Sequence, residues 1–499
     1  MNQAGSSPGT KFAGGWGLAA ASALLVFFPL ASPPEGLSVA GWRTAGVALA
    51  MAVLWVTEAI PIPATALLPI VLFPLLGVAS VKEAAAPFAN PVIYLFMGGF
   101  FLALGCQRWR LHQRIALHII GTTGSRVTRV LGGVMASTAF ISMWVSNSAT
   151  AVMMLPIALS LVALLREHLG DANARATEGL GIAMMLGVAY ASNIGGMGTL
   201  VGTPPNALLA GFISETYGFH IGFGRWMLVG VPLVIVGTVL THAILVRLCL
   251  PDRTLDVPGL SGQVRSELSK LGPLSRGEIK VASVFLAAAF CWVAQPLFKS
   301  FAPGVNDTTI AMGAAILLFC LPVNWRERTF VLGWEDVREF PWGVLVLMGG
   351  GLSMAEMMDK TGLAAWLGTL TAAWQGFPIL LVVLMVTAAI VFLSELASNT
   401  ATAATFLPVV ASVSLGMGQN PLLLAIPATL AASCAFMLPV GTPPNAVAYA
   451  TGFVPLPRML RIGLWINFLF IVLIPMVAFT LAAWVFGIVP GQMPPWAPK

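Results

Sequence analysis

The sequence contains few charged residues and few of the side chains that hold metals or form cross-links. Only 9% of its 499 residues are charged, whereas soluble domains average about 25%. So few charges cannot cover a folded globule of this size, which excludes a single water-soluble core. The five cysteines form no C-x-x-C pair and the five histidines are scattered, which disfavours disulfides, bound metal cofactors and a metalloenzyme.

Apolar sequence is abundant instead, with 58% hydrophobic residues and a mean hydropathy of +0.89. A helical membrane span needs about 20 apolar residues. Eleven such crossings are predicted near 12–31, 39–57, 63–79, 91–106, 179–200, 226–248, 281–298, 308–322, 341–357, 421–440 and 462–486. A polar linker at 250–278 and a short amphipathic piece at 361–374 lie between them, and Met1–Thr10 does not resemble a signal peptide. The fold class is therefore an all-α polytopic membrane protein.

Two further segments, 131–165 and 377–415, are too long for one crossing and carry polar residues at their centres. The interruptions are Ser146-Asn147-Ser148 and Ser398-Asn399-Thr400. Lipid does not tolerate such residues, so each segment is predicted to form a re-entrant helical hairpin with its polar tip buried in protein.

The basic residues indicate the orientation of the chain. They concentrate in the loop 107–129, which has no acidic residue, and in 247–280 and 326–338. By the positive-inside rule these stretches are cytoplasmic, which places the N-terminus inside and the C-terminus outside. Of 25 Lys and Arg residues, 19 then lie inside and six outside: Arg43, Lys82, Arg225, Lys299, Lys360 and Lys499. The net charge of +6 is thus a topology signal and does not indicate nucleic acid.

An internal repeat organises the chain. Ser146–Ala151 matches Ser398–Ala403 at a separation of 252 residues, and Gly202–Asn206 recurs as Gly441–Asn445. The predicted topology opens the first hairpin to the cytoplasm and the second to the outside, so the repeats are inverted. Inverted repeats with paired broken helices indicate a secondary transporter with a midplane site.

The repeated motifs offer sites for an anion and a cation. Ser, Asn and Thr are preferred N-caps, so the second half of each hairpin is predicted to begin at its motif and to present free N–H groups to an anion. Thr-Pro-Pro-Asn also suits a helix start. Oxygens of Ser142, Ser146, Ser394 and Ala397 could coordinate Na⁺. Two anion cradles fit a molecule with two carboxylates.

Glu395 and a glycine-rich run allow more than one interpretation. Glu395 has Met143 as its counterpart in the first hairpin, so it either stabilises the hairpin or tunes the cation site. The run Gly195–Gly198 is no phosphate loop and is predicted to unwind a span so that its backbone lines the site.

With these motifs, the chain resembles the divalent anion/sodium symporter family over nearly its whole length, from Thr57–Pro61 to Gly441–Asn445. The resemblance implies a homodimer with a scaffold domain and a transport domain that moves as an elevator. It places one sodium site at Ser142, Ser146, Asn147 and Gly195, and the other at Ser394, Ala397, Asn399 and Gly441. It places the substrate at Asn147, Ser148, Asn399, Thr400, Thr442 and Pro443. Ser148 departs from the family, which usually has Thr there.

The implied domains are scaffold helices at 1–129 and 281–375, transport segments at 130–249 and 376–499, and a cytoplasmic linker at 250–280. We expect sodium-coupled symport of C4-dicarboxylates such as succinate, malate or fumarate across the plasma membrane. The alternatives are a sodium-independent dicarboxylate or citrate exchanger and a sodium-coupled sulfate transporter. An intramembrane enzyme is disfavoured because the tips have no His or Lys to activate a hydroxyl. A channel is disfavoured because two inverted hairpins suit alternating gates.

Overall fold

A computed structural model of the chain describes residues 8–169, 174–250, 254–256, 259–298, 302, 304–370 and 376–497. Most of these residues are helical, and β1 (Pro322–Asn324) and β2 (Thr329–Phe330) form a small antiparallel hairpin. The predicted all-α class is confirmed at this level. Residues 1–7 and 371–374, which belong to the predicted N-terminal stretch and amphipathic piece, lie outside the described residues.

The first half of the chain forms helices up to the linker. They are α1 (Pro8–Leu30), α2 (Val39–Thr57), α3 (Ile62–Ala66), α4 (Leu68–Leu75), α5 (Val81–Ala85), a 3₁₀ turn (Ala86–Ala89), α6 (Pro91–Arg108), α7 (Leu111–Gly121), α8 (Val127–Ser142), α9 (Asn147–Leu169), α10 (Ala174–Gly196), α11 (Pro204–Tyr217), α12 (Phe223–Cys249) and α13 (Leu260–Leu271).

The second half follows the same general order. Its helices are α14 (Arg276–Phe298), α15 (Asp307–Cys320), a 3₁₀ turn (Trp334–Glu339), α16 (Trp342–Lys360), α17 (Leu363–Leu370), α18 (Ile379–Ser394), α19 (Asn399–Gly416), α20 (Leu422–Ala431), α21 (Pro443–Ala450), α22 (Leu456–Val477), a π-helical turn (Ala478–Ala482) and α23 (Ala483–Phe486).

Seven helical stretches within the described ranges are long and apolar enough to cross a membrane. They are Val39–Thr57, Val81–Arg108, Asn147–Leu164, Thr177–Gly196, Phe223–Cys249, Arg276–Gln295 and Leu456–Phe486. Exposed apolar side chains such as Leu286, Phe290 and Val293 follow one face of α14, as expected of a helix against lipid. The count of eleven crossings stays a prediction.

Four predicted segments differ from the structure. The span at 63–79 is two short helices that meet at Leu67, because Pro69 has no N–H to continue the first. The span at 421–440 ends at Ala431, where side chains take over the backbone hydrogen bonds. The loop 107–129 contains α7 and the linker 250–278 contains α13, because each carries an amphipathic pattern that the charge count obscured.

Helices of the first half pack against helices of the second half. Helix α6 packs on α15, and α16 packs on α3. Glycine allows both close approaches, since a Cβ on Gly98 would lie 2.6 Å from the Ala311 carbonyl carbon and a Cβ on Gly350 would collide with the Ala66 carbonyl oxygen. The two halves therefore pack closely against each other, and residues 179–196 of α10 are buried.

The linker packs against α7 and the start of α8. Helix α13 packs on α7, and Arg114 pairs with the Glu278 carboxylate through Nε at 2.6 Å. Farther along the linker, Leu255 O accepts a hydrogen bond from the Val127 N–H, at the start of α8. The linker thereby contacts α7 and also α8, the helix that leads into the first Ser-Asn motif.

Candidate binding site at the helix breaks

Four interruptions of helices carry the repeated motifs. Helices α8 and α9 are separated by the first tip (143–146), and α18 and α19 by the second tip (395–398). Helices α10 and α11 are separated by the first break (197–203), and α20 and α21 by the second break (432–442). The predicted helix starts at Asn147 and Asn399 and the predicted unwinding after Gly195 are confirmed.

The two breaks end in the same backbone conformation. Thr203 (φ −145°, ψ 142°) and Thr442 (φ −147°, ψ 151°) are extended N-caps, and each is followed by proline at the first helical position. Proline suits this position because its missing N–H would have no partner there. The predicted helix starts at both Thr-Pro-Pro-Asn motifs are therefore confirmed.

The asparagine that ends each of these motifs folds back onto its own break. Asn206 Nδ2 donates to the carbonyl oxygens of Gly196 (3.2 Å) and Thr199 (2.8 Å), and also to Met197 O at 3.3 Å. Asn445 Nδ2 donates to Ala435 O and Leu438 O, both at 3.0 Å.

These contacts are equivalent in the two repeats. Residues 196, 199 and 206 match residues 435, 438 and 445 at a constant separation of 239. Both asparagines are fully buried, and each has an Oδ1 without a partner in the described part of the chain. We call this pair the amide staples. They satisfy carbonyls that the interrupted helices leave unpaired.

The first tip lies against the first break. Ser142 Oγ is within hydrogen-bond distance of two acceptors, Ser192 O at 2.7 Å and Asn147 Oδ1 at 2.9 Å. A Cβ on Gly196 would lie 2.5 Å from Asn147 Oδ1, so this contact requires glycine. The structure thus brings together Ser142 and Asn147 of the predicted first sodium site. Gly195, another of the four predicted members, adjoins this contact and packs against the Ala139 carbonyl.

The start of α9 leaves N–H groups for a ligand. Its first main-chain hydrogen bond runs from Thr150 N to Ser146 O at 2.9 Å, and Ser146 Oγ accepts a long bond of 3.4 Å from Ala149 N. The N–H groups of Asn147 and Ser148 have no acceptor within the described chain. Both residues are half-buried, and a helix N-terminus in this condition favours an anion.

The second tip has the same plan at α19. Thr402 N donates to Ser398 O at 2.8 Å, so the first N–H groups of the helix have no main-chain acceptor in the described ranges. Asn399 is half-buried and its Oδ1 has no partner there, while Thr400 is buried. Ser394 differs from Ser142, because its Oγ donates to Val391 O of its own helix at 2.8 Å.

Ala397 and Gly441, the other predicted ligands, lie on the two sides of Glu395. Ala397 is buried two residues after it. A Cβ on Gly441 would lie 3.2 Å from Glu395 Oε2 and 3.4 Å from Glu395 O. By the same separation of 239 residues, Gly202 is the counterpart of Gly441, and a Cβ there would lie 3.0 Å from Met143 O. The sequence motif matched Gly202 to Gly441, but Gly202 was not predicted to belong to a sodium site.

The predicted substrate residues in the second break have different environments. Thr442 is buried, and its Oγ1 accepts hydrogen bonds from Asn193 Nδ2 at 3.0 Å and from Asn445 N at 3.4 Å. Pro443 is exposed at the start of α21. Asn193 belongs to α10, and its Nδ2 also contacts Ala435 O at 3.3 Å. This side chain therefore joins the first repeat to the second break.

Helices of the two repeats also pack against each other at the site. Helix α9 packs against α21 of the other repeat, and α19 packs against α11. Each Ser-Asn helix is thereby placed beside the helix that starts at the other repeat's Thr-Pro-Pro-Asn motif. The helices that carry the four motifs therefore pack against each other across the two repeats.

The chemistry available at the four interruptions is mainly that of neutral oxygens and N–H groups. Neither tip nor either break contains Lys, Arg or His, and Glu395 is their only acidic residue. Across the described residues, no group of three His, Cys, Asp or Glu side chains is placed to hold a metal ion. Helix starts can bind an anion, and hydroxyl, amide and carbonyl oxygens can bind a hard monovalent cation.

Several residues that shape the site were absent from the sequence prediction. The amide staples were signalled by the repeated Asn of Thr-Pro-Pro-Asn, but their direction is visible only in three dimensions. Asn193 has Ala432 as its counterpart, so the repeat gave no signal for it. Thr199 lies outside the matched motifs, and its Oγ1 donates to Met143 O at 2.5 Å.

The fold resembles that of two solved transporters. The Alcanivorax borkumensis YdaH transporter aligns with a TM-score of 0.55 at 15% identity, covering 82% of this chain and 88% of that one. Neisseria gonorrhoeae MtrF, described with a class of antimetabolite efflux pumps, aligns with a TM-score of 0.54 at 12% identity over 99% and 98% of the two chains. At such low identity, the likeness concerns the fold alone.

The apolar helices indicate a multi-pass membrane protein. A family model described as "Sodium:sulfate symporter transmembrane region" matches residues 13–488. The chain belongs to this family, which confirms the resemblance seen in its motifs. Membership of a symporter family makes it a transporter rather than an enzyme.

Curated relatives cover nearly the whole chain. A protein of Staphylococcus saprophyticus named sodium-dependent dicarboxylate transporter SdcS is 41% identical over 478 residues, which are 95% of this chain and 92% of that protein. A protein of Staphylococcus aureus with the same name is 38% identical over 471 residues, or 93% and 89% of the two chains.

Proposed function

We propose that this protein is a sodium-coupled symporter of C4-dicarboxylates such as succinate, malate and fumarate in the plasma membrane. The observation that carries the proposal is that two equivalent helices, which start at Asn147 and Asn399, each pack against the Thr-Pro-Pro-Asn helix of the other repeat. The names of the Staphylococcus relatives support the substrate class and the sodium dependence.

The anion would bind between the two motifs. Each Ser-Asn helix supplies unpaired N–H groups and the positive end of its dipole, worth about 0.3–1 kcal/mol per terminus in exposed sites and more when partly buried. Asn147 and Ser148 would meet one carboxylate, and Asn399 and Thr400 the other, with Thr442 and Pro443 flanking. Two cradles favour a dicarboxylate over a smaller anion that one cradle could hold.

Sodium would bind beside each cradle. The first sodium site would use Ser142, Ser146, Asn147 and backbone near Gly195. The second would use Ser394, Ala397, Asn399 and backbone at Gly441. The contact between Ser142 Oγ and Asn147 Oδ1 supports the first set, and the unpartnered Asn399 Oδ1 supports the second. Because no Lys or Arg lies at either tip, the bound cations would offset the charge of the anion.

The two tips would belong to re-entrant hairpins in an inverted repeat with eleven crossings. Residues 130–249 and 376–499 would form the transport domain, and 1–129 and 281–375 the scaffold, joined by the cytoplasmic linker 250–280. Following the family resemblance, the transport domain would move as an elevator within a homodimer. The close approach of Gly351 of α16 to Ala404 of α19 supports direct contact between the two proposed domains. The N-terminus would be cytoplasmic and the C-terminus outside.

Sulfate is the second candidate substrate, because the description of the matching family model names sodium and sulfate. It would fill one cradle rather than bridge two. A sodium-coupled sulfate transporter would then keep the cation sites proposed above. Competition between the two anions in one assay separates these candidates.

Radiolabelled succinate uptake into proteoliposomes tests the proposal. We expect accumulation with an inward sodium gradient and none when choline replaces sodium, with weak competition by sulfate and strong competition by malate and fumarate. Uptake that needs internal dicarboxylate but no sodium would identify an exchanger of dicarboxylate or citrate. Sodium-driven uptake of sulfate but not succinate would contradict the substrate assignment alone.

A further inference from the structure

Glu395 is a buried carboxylate without a basic partner. It is the only charged residue in the sequence between Lys360 and Arg458, and it is 3% exposed. None of the ion pairs formed within the described ranges includes it. Buried carboxylates are costly unless they are hydrogen-bonded or paired, so its surroundings must compensate for this charge.

Hydrogen-bond donors from the second break and from α22 hold this carboxylate. Oε1 accepts from Phe436 N at 2.7 Å, from Met437 N at 2.9 Å and from Asn467 Nδ2 at 2.8 Å. Oε2 accepts from Leu438 N at 3.0 Å. Four donors in fixed positions lock the side chain in one place, but they are neutral and leave its full negative charge in the core.

This charge lies between the two chain segments that would form the second sodium site. Glu395 follows Ser394 and precedes Ala397 at the second tip, and its Oε2 adjoins Gly441 in the second break. Both oxygens are already occupied by donors, so the carboxylate acts on a cation through space and by fixing the ligands. In a low-dielectric core, a unit charge at short range attracts a cation far more strongly than it would in water.

The first site has no such charge. Met143 occupies the corresponding position, and there is no Asp or Glu between residues 127 and 166 or between 179 and 214. There the tip is joined to the break by the Thr199 hydroxyl, which donates to Met143 O. The two proposed sodium sites therefore share a backbone plan and differ by one negative charge.

We propose that Glu395 is a positioning residue that makes the second sodium site the tighter of the two. The proposal rests on the proposed function, since it concerns the same cation sites. It concerns sodium alone, so it can be tested in the absence of any dicarboxylate.

The test is a sodium titration of the thermal unfolding midpoint of the purified full-length protein, with choline keeping the ionic strength constant. Glu395→Gln should raise the sodium concentration for the half-maximal shift by about tenfold or more. Glu278→Gln is the matched control, because Glu278 is also buried but pairs with Arg114 away from the tips. It should lower the midpoint in choline and leave the sodium half-saturation unchanged.

A second variant keeps the proposal testable if Glu395→Gln does not fold. Asn467→Ala removes one of the four donors and should raise the half-saturation about threefold. An unchanged half-saturation in both variants, or a wild-type midpoint that sodium does not shift, overturns the proposal. Succinate uptake by the wild type is measured in parallel. If sodium shifts the midpoint and Glu395→Gln weakens this shift, but the wild type takes up no succinate, the proposed substrate is wrong and the role of Glu395 is supported.

Discussion

The two repeats shape their breaks in the same way but join them to their tips by different chemistry. In both, an asparagine amide satisfies the carbonyls of the break. In the first repeat, the tip is held by a neutral hydroxyl, from Thr199 to Met143 O. In the second, it is held by the Glu395 carboxylate, which accepts three backbone N–H groups.

This difference separates the features that the two repeats share from those that they do not. The helix starts and the amide staples occur twice, so both are tied to the shared backbone plan. The connections between tip and break occur once each, so they are free to differ in charge and strength. Two sites with one backbone plan can then have unequal affinity for a cation.

The largest effect is expected at the Ser-Asn motifs themselves. Asn147→Ala and Asn399→Ala should each reduce sodium-driven succinate uptake by about 10- to 100-fold, because each removes an amide that would contact both charged ligands. Asn324→Ala is the matched control and should retain uptake, because the β1–β2 hairpin packs on α14 and α15 and belongs to neither tip nor break. Full uptake by both motif variants would show that the shared helix starts are not the binding site.

The next largest effect is expected at the amide staples, Asn206 and Asn445. Asn206→Asp and Asn445→Asp would each place an oxygen against buried carbonyl oxygens, at a cost of about 2–4 kcal/mol in folding free energy. Asn206 should be the more sensitive, because it serves three carbonyls and Asn445 two. Thermal unfolding midpoints in detergent check this order, and a larger loss at Asn445 would show that the number of carbonyls served does not determine the stability that each staple contributes.

Removal of the Thr199 hydroxyl, which joins the first tip to the first break, should have an intermediate effect on uptake. Thr199→Val keeps the shape but loses the bonds to Met143 O and from Gly202 N, which together are worth about 1–2 kcal/mol. We expect uptake at limiting sodium to fall by up to about tenfold, with recovery in Thr199→Ser. If Thr199→Ser is as impaired as Thr199→Val, the hydroxyl is not what holds the tip.

The smallest effect concerns the one position at which the two motifs differ. Ser148→Thr restores the symmetry with Thr400 by adding one methyl group, worth at most about 0.8 kcal/mol. The KM for succinate should therefore change by no more than about fourfold, with kcat retained. A loss of uptake would indicate that the first cradle has no room for the family's usual threonine.

The repeat made the plan of the site predictable, because matched motifs mark matched helix starts at Asn147 and Asn399. The same reasoning failed where the repeats diverge. The span predicted at 421–440 ends at Ala431, because Glu395 and Asn445 bind the backbone of the second break, and hydropathy carries no sign of such contacts. Asn193 and Thr199 were missed for a similar reason, since their partners lie far away in the sequence.

The most direct test of a dicarboxylate held jointly by both repeats is a cryo-EM structure of the full chain with sodium and succinate. We predict one elongated ligand density that joins the start of α9 to the start of α19, with Asn147 and Asn399 at its two ends. Density confined to one motif, or lying away from both, would contradict the account.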